Sequence, residues 1–171
     1  MIKHIFFDLD RTLWDFESNS HKTLLQLIKS FNLLEMGVDT PENFIKRYKE
    51  HNNHLWELYR KGLIEKDELR IKRFKLIMHD YGILDINLIN KFAAEYIAKS
   101  PLNTQLFPFA IEVLEYLKKN YQLHILTNGF DSVQNIKLAT SGIDRYFEQV
   151  ITAEKAGFQK PDPNIFRYAL R

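Results

Sequence analysis

A chain of 171 residues suits one domain, or one domain with a modest insertion, and 45% apolar and 13% aromatic content supports a real core and argues against disorder. The 24 basic and 22 acidic residues nearly cancel to a net +2 and the basic ones are scattered, which leaves no electrostatic footprint for nucleic acid or a membrane surface. Without cysteine, disulfides and thiolate chemistry are excluded. A start that runs straight into "IKHIFF", with no apolar run near the ~20 residues of a membrane span, predicts a soluble, cytoplasmic protein.

The first predicted element is a short strand in "KHIFFD", residues 3–8, whose continuous apolar centre reads as a strand buried on both faces of a parallel sheet. Residues 18–100 then become rich in helix formers, with Leu, Ile and Phe at three- and four-residue spacing. Ser18 or Ser20 is the expected cap of a helix through "HKTLLQLIKSF". Thr40-Pro41 pairs a cap with proline at the first helical position and leads a second helix that Gly62 ends. A third runs through "EKDELRIKRFKLIMHDY" to Gly82, and a fourth, "DINLINKFAAEYIAK", ends at Ser100-Pro101. After Pro101 the order is helix, strand ("YQLHILTNG"), helix ending at Gly142, strand ("FEQVITA"), and a last helix in "DPNIFRYALR". This order predicts an α/β fold with a doubly wound, mostly parallel Rossmann-like sheet. Residues 1–16 and 101–171 form its core, and an all-helical cap over 17–100 is inserted after the first strand.

In open α/β sheets ligands sit at the carboxyl ends of the strands. The first predicted strand ends in Asp8-Leu9-Asp10-Arg11-Thr12, the second in Leu126-Thr127-Asn128-Gly129, and the third leads to a loop with Lys160-Pro161-Asp162. On one sheet edge these residues converge. Two carboxylates so close to an apolar run need partners, and a divalent cation with Lys160 would supply them. Hard oxygen donors suit Mg²⁺, which takes one or two carboxylates, waters and substrate phosphate. Cation and lysine would hold a phosphate dianion for attack by one carboxylate, giving an aspartyl-phosphate, while the second gives and later takes a proton.

"DLDRT", "LTNG" and "KPD", in this order, resemble the first three motifs of the haloacid dehalogenase-like (HAD) hydrolases, most of which are Mg²⁺-dependent phosphatases. "FFDLDRTLWDF", "LTNGF", "SGIDRYF" and "KPDPNIFRYAL" together look like the branch of pyrimidine 5′-nucleotidases. The resemblance implies a phosphomonoester hydrolase whose favoured substrate is a nucleoside 5′-monophosphate. It implies that Asp8 is the nucleophile and a metal ligand, that Asp10 is the general acid/base and binds Mg²⁺ through its backbone carbonyl, and that Thr127, Asn128 and Gly129 hold phosphate. Lys160 would pair with Asp8 and the phosphate, and Thr12 would steady the loop after the first strand. Arg11 stands where the family often has glycine, so it needs either a tolerated backbone angle or a role at the substrate mouth. Trp14 and Phe16, like Trp56 and Tyr59, are candidates for stacking on a nucleobase, with packing as the competing reading. His51 and His54, spaced i, i+3, read as solvated, with no acidic partner placed beside them.

The family's fourth motif, an acidic pair that completes the metal site, does not occur before Arg171. By resemblance the strand carrying it would pair with the first strand. Its absence leads to the expectation of a bare strand edge over His4–Phe7, self-association through it, and weak Mg²⁺ binding. The alternatives are a phosphosugar phosphatase or mutase on the same scaffold, or an inactive fragment or binding module. A dehalogenase is disfavoured, since that chemistry needs no second acid and Asp10 is present.

Overall fold

A computed structural model describes residues 2–171. In chain order it contains β1 (His4–Phe7), α1 (Phe16–Ser30), α2 (Pro41–Arg60), α3 (Lys66–Asp80), α4 (Ile86–Lys99) and α5 (Ala110–Lys118). These are followed by β2 (Gln122–Thr127), α6 (Asp131–Thr140), β3 (Phe147–Thr152), α7 (Ala153–Ala156) and α8 (Pro163–Ala169). Single 3₁₀ turns occupy Ser100–Leu102 and Asp144–Tyr146. The chain divides into two compact units, Met1–Asn19 with Pro101–Arg171, and Ser20–Ser100. It is an α/β fold with a three-stranded parallel sheet and a helical insertion, α1–α4, after the first strand.

In the sheet unit the strand order is β1-β2-β3, and both neighbouring pairs run parallel. The register sets Phe7 beside Ile125 and Thr127 beside Thr152, so all three strands finish on one edge. Central β2 is buried from Leu123 onward. Its side chains alternate between faces. Leu123 and Ile125 join Leu9, Trp14, Leu114 and Leu138 in one cluster, while Leu126 joins Ile151 and Ile165 in another. Fully burying each such aliphatic side chain stabilises the unit by about 1.5–3 kcal/mol.

Strand β1 departs from the expected two-sided burial. His4 is exposed and Ile5, Phe6 and Phe7 are only half-buried. The reason is positional: among the described residues β1 lies at the sheet edge with β2 as its one strand neighbour. Phe6 stacks on His124 at 4.8 Å between centroids, and His4 Nδ1 lies 3.0 Å from His124 Nε2. Burial, and then the His4 ring, push the His124 imidazole below its ordinary value.

The helical unit has its own core, in which Leu24, Leu27, Phe44, Tyr48, Phe74, Phe92 and Tyr96 are buried together. Tyr48 and Phe74 stack at 5.3 Å. Thr40 caps α2 by accepting from the Asn43 N–H, and Pro41 follows it as read from the sequence. The α1 cap differs. Neither Ser18 nor Ser20 fills that role. Asp15 accepts from both the N–H and the hydroxyl of Ser18, because a charged carboxylate is the stronger acceptor. Ser20 instead shares a 2.7 Å hydrogen bond with the Tyr96 hydroxyl. The Arg73 guanidinium is buried, lies over the Phe74 and Tyr96 rings and donates to Asn52 Oδ1 at 3.1 Å. His51 also differs from expectation, since it has an acidic partner: its Nε2 lies 2.7 Å from Asp80 Oδ2, contributed by α3. No described helix is long and apolar enough to cross a membrane.

Candidate active site

The spacing of Asp8 and Asp10 has a local cause. Leu9 between them is fully buried, and its carbonyl accepts from the N–H groups of Leu13 and Trp14 at 3.0 and 2.9 Å. Extended backbone alternates side chains between faces. Sinking Leu9 into the core therefore turns both carboxylates outward at the end of β1. The loop then reverses at Arg11, whose φ of 63° is left-handed, and the Arg11 N–H donates to the Trp14 carbonyl at 3.0 Å. That conformation is costly for a residue with a Cβ.

Asp8 keeps 43% of its side chain exposed, and its Oδ2 lies 3.0 Å from Lys160 Nζ. Its Oδ1 accepts from the Leu9 N–H at 2.8 Å. Lys160 is fixed from two directions. Its Nζ also donates to the Leu126 carbonyl at 2.8 Å. Its backbone N–H and carbonyl are held by the Asn128 amide at 2.7 and 2.9 Å. The Asn128 side chain thus bridges the backbone of the lysine loop with one of its two amide hydrogens and its carbonyl oxygen.

Thr127 is buried at the end of β2, and its hydroxyl oxygen accepts from the Gly129 N–H at 3.0 Å and from Gln134 Nε2 at 2.8 Å. Two acceptances leave its hydroxyl hydrogen to donate. At Gly129 an added Cβ would stand 2.3 Å from Gln134 Nε2, so the Gln134 side chain would have to shift to admit one.

Asp10 is held differently from Asp8. Its Oδ1 pairs with Lys137 Nζ at 2.6 Å, and its Oδ2 accepts from Gln134 Nε2 at 2.9 Å. Both partners come from α6 and neither is identified by the motif pattern. Their i, i+3 spacing in "QNIK", one turn after Thr127-Asn128-Gly129, is the signal that could have found them. A sequence does not announce that a glutamine and a lysine will be buried.

Of the three aromatic and basic candidates after Asp10, Trp14 is corrected outright. It is fully buried, donates its indole N–H to the Asn103 carbonyl and carries Lys137 Nζ 4.3 Å from its ring centroid. The indole is a core side chain with no face left for a base. Phe16 is half-buried beneath the Arg11 guanidinium, which also pairs with Glu17 at 2.8 Å.

Among the described residues no three or more His, Cys, Asp or Glu side chains converge as a metal-binding group. What the strand ends offer a cation is oxygen: the half-exposed Asp8 carboxylate and the backbone around Asp10, whose own carboxylate is engaged by Lys137 and Gln134. This donor set fits Mg²⁺, which keeps waters and substrate oxygens in its shell, better than a cation needing a full protein cage. A cavity of about 300 Å³ opens beside the Asp8–Lys160 pair, lined also by Phe6, Phe166 and Leu170.

The chain is 27% identical over 165 residues to the HAD-hydrolase YfnB of Bacillus subtilis, covering 96% of this chain and 67% of YfnB. It is 31% identical to the pyrimidine 5′-nucleotidase YjjG of Escherichia coli over 97% of this chain and 69% of YjjG. Against the pyrimidine 5′-nucleotidase PynA of Streptococcus pneumoniae it is 33% identical over 94% of this chain and 65% of PynA. It thus spans about two thirds of the length of these curated relatives. The magnesium-bound crystal structure of YfnB, which reveals interdomain movement in that protein, superimposes with a TM-score of 0.87 at 26% identity, covering 98% of this chain and 72% of that one. The family model for haloacid dehalogenase-like hydrolases matches residues 2–171, the same span that carries Asp8, Asp10, Thr127 and Lys160 to one sheet edge. This chain therefore belongs to the haloacid dehalogenase-like hydrolase family.

Proposed function

We propose that the chain carries the catalytic residues of a phosphomonoester hydrolase acting through an aspartyl-phosphate, with a pyrimidine nucleoside 5′-monophosphate as the favoured substrate. The observation that carries this reading is the Asp8–Lys160 pair at 3.0 Å at the end of β1, with Thr127 closing the neighbouring strand β2 on the same sheet edge. An Asp8 oxygen attacks phosphorus, forming the aspartyl–phosphorus bond as the ester P–O bond breaks, and Asp10 passes a proton to the leaving oxygen. Water then attacks the same phosphorus, its proton goes to Asp10, and the aspartyl bond breaks to release phosphate. Lys160 and the Thr127 hydroxyl donate to the phosphoryl oxygens where charge accumulates. Asp8, with the Asp10 backbone carbonyl, would hold Mg²⁺, which when bound supplies further neutralisation of the phosphate charge.

The nucleotide preference is supported by the two nucleotidase relatives at 31% and 33% identity. The sugar-phosphate alternative is supported by relatives named glyceraldehyde 3-phosphate phosphatase, such as that of Pyrococcus abyssi, 31% identical over 100% of this chain. The helical unit, Ser20–Ser100, is the part assigned to choosing the leaving group, since Asp8, Thr127 and Lys160 address only phosphate. The test is phosphate release with Mg²⁺ across pyrimidine and purine monophosphates, sugar phosphates and triose phosphates, beside the Asp8→Asn variant. Asp8→Asn is expected to lose all turnover with its circular dichroism unchanged, and retained turnover ends the aspartyl-phosphate reading. A preference for triose phosphates would replace the nucleotide assignment and leave the chemistry standing.

A further inference from the structure

Asp10 is gripped on both oxygens by one helix. Lys137 Nζ and Gln134 Nε2, one turn apart on α6, take Oδ1 and Oδ2 respectively. Lys137 is 6% exposed in its side chain, against 27% for Asp10. Burying an ammonium is expensive unless it is paired. Here the charge rests between the Asp10 carboxylate and the rings of Trp14, 4.3 Å away, and Phe16, 5.7 Å away. Gln134 is fully buried, and its Oε1 has no hydrogen-bond partner among the described residues. Its amide is thus oriented by what it donates to, Asp10 Oδ2 and Thr127 Oγ1, and not by its own satisfaction. The Gln134 amide also fills the space that a Cβ at Gly129 would need.

We propose that Lys137, with Gln134, is a positioning residue for the reaction: the pair locks the Asp10 carboxylate in place relative to Thr127 and thereby aims its proton transfer at the leaving oxygen. This inference rests on the phosphomonoester reading for its catalytic consequence, but its geometric content stands separately. Each carboxylate oxygen has two acceptor sites, so the grip leaves Asp10 lone pairs with which to exchange a proton. A misplacement of about 1 Å costs on the order of 100-fold in rate, so a group this well held is expected to matter most where a proton is most needed.

Lys137→Met retains the stem against Trp14 and removes the ammonium. In a crystal structure of the full chain carrying this change, the Asp10 carboxylate is expected to leave its place while β2 and α6 stay. An unmoved carboxylate overturns the proposal whether or not the chain turns over. In kinetics, kcat/KM for an alkyl phosphate, whose leaving oxygen requires a proton, is expected to fall about 100-fold. The value for p-nitrophenyl phosphate, whose leaving group departs as a stable anion, should fall far less. An equal fall for both esters marks a merely structural role and also overturns it. Lys137→Arg is expected to recover part of the alkyl-ester rate. Should Lys137→Met fail to fold, Gln134→Met removes the second donor at similar volume and carries the same displacement and the same ester split. Failure of the underlying reading looks different: turnover retained by Asp8→Asn removes the aspartyl-phosphate, while a displaced Asp10 in Lys137→Met still supports the grip.

Discussion

The two units bury polar groups to different ends. In the sheet unit Thr127, Gln134 and Lys137 are buried and all bond towards the edge where Asp10 stands. In the helical unit the buried guanidinium of Arg73 is absorbed sideways, by Asn52 and by the faces of Phe74 and Tyr96. Burial also drives the Tyr48 hydroxyl of that core well above its ordinary range, so it stays neutral. Buried polarity that points at an edge builds a site, whereas buried polarity closed within a core serves packing. The sheet unit therefore turns buried polar groups towards one edge, while the helical insertion closes its own within the core.

Several substitutions bear on this contrast. The largest effect belongs to the sheet edge: Asp10→Asn should cut turnover by about 10²–10⁴-fold and also lower the melting temperature, since it removes the carboxylate that pairs with the buried Lys137 ammonium. A small loss of rate, measured against an alkyl phosphate, would count against Asp10 as the proton carrier. In the helical unit Phe74→Ala removes a fully buried ring from the aromatic cluster and should destabilise by about 3–5 kcal/mol in denaturant titration. A loss below 1 kcal/mol there would mean that the aromatic core is not what holds that unit.

Gly129→Ala tests the joint between the two strand ends. The added methyl meets the Gln134 amide, and the expected cost is about 1–3 kcal/mol together with a lowered rate on alkyl phosphates. Unchanged stability and rate would show that Gln134 moves away freely and that its grip on Asp10 is loose.

The smallest effect is expected in the pH dependence set by His124. Its folded value lies below the unfolded one, owing first to burial and then to His4, with Glu148 acting in the opposite direction. The unfolded chain therefore binds the proton more readily. The contribution of His124 is fully present above an unfolded value of about 6.5 and is lost as pH falls from there towards the lower folded value. Urea midpoints from pH 8 to pH 5 should decline more steeply for wild type than for His124→Phe, and parallel curves would discount this group.

Chain patterning by itself determined the α/β class, the four inserted helices, the strand ends and the Asp8, Asp10, Thr127 and Lys160 motif positions. Each follows from local rules: apolar periodicity, Thr40-Pro41 as a helix start, and the residues that follow each apolar strand run. Tertiary structure decided the rest. The grip on Asp10 joins residues 124 and 127 positions apart in the chain, and no local pattern encodes contacts at that range. Trp14 reads as a ring near the site, yet it is core because the loop carrying it folds back onto Leu9 and places the indole under Lys137. Asn128 reads as a phosphate donor, and only the folded chain shows that its amide also bridges the Lys160 backbone, 32 positions away. In β1 the composition reads as fully buried, and the strand's place at the sheet edge leaves its phenylalanines only half-covered. Local sequence sets which way a side chain points, and only the packing of distant segments sets what it meets there.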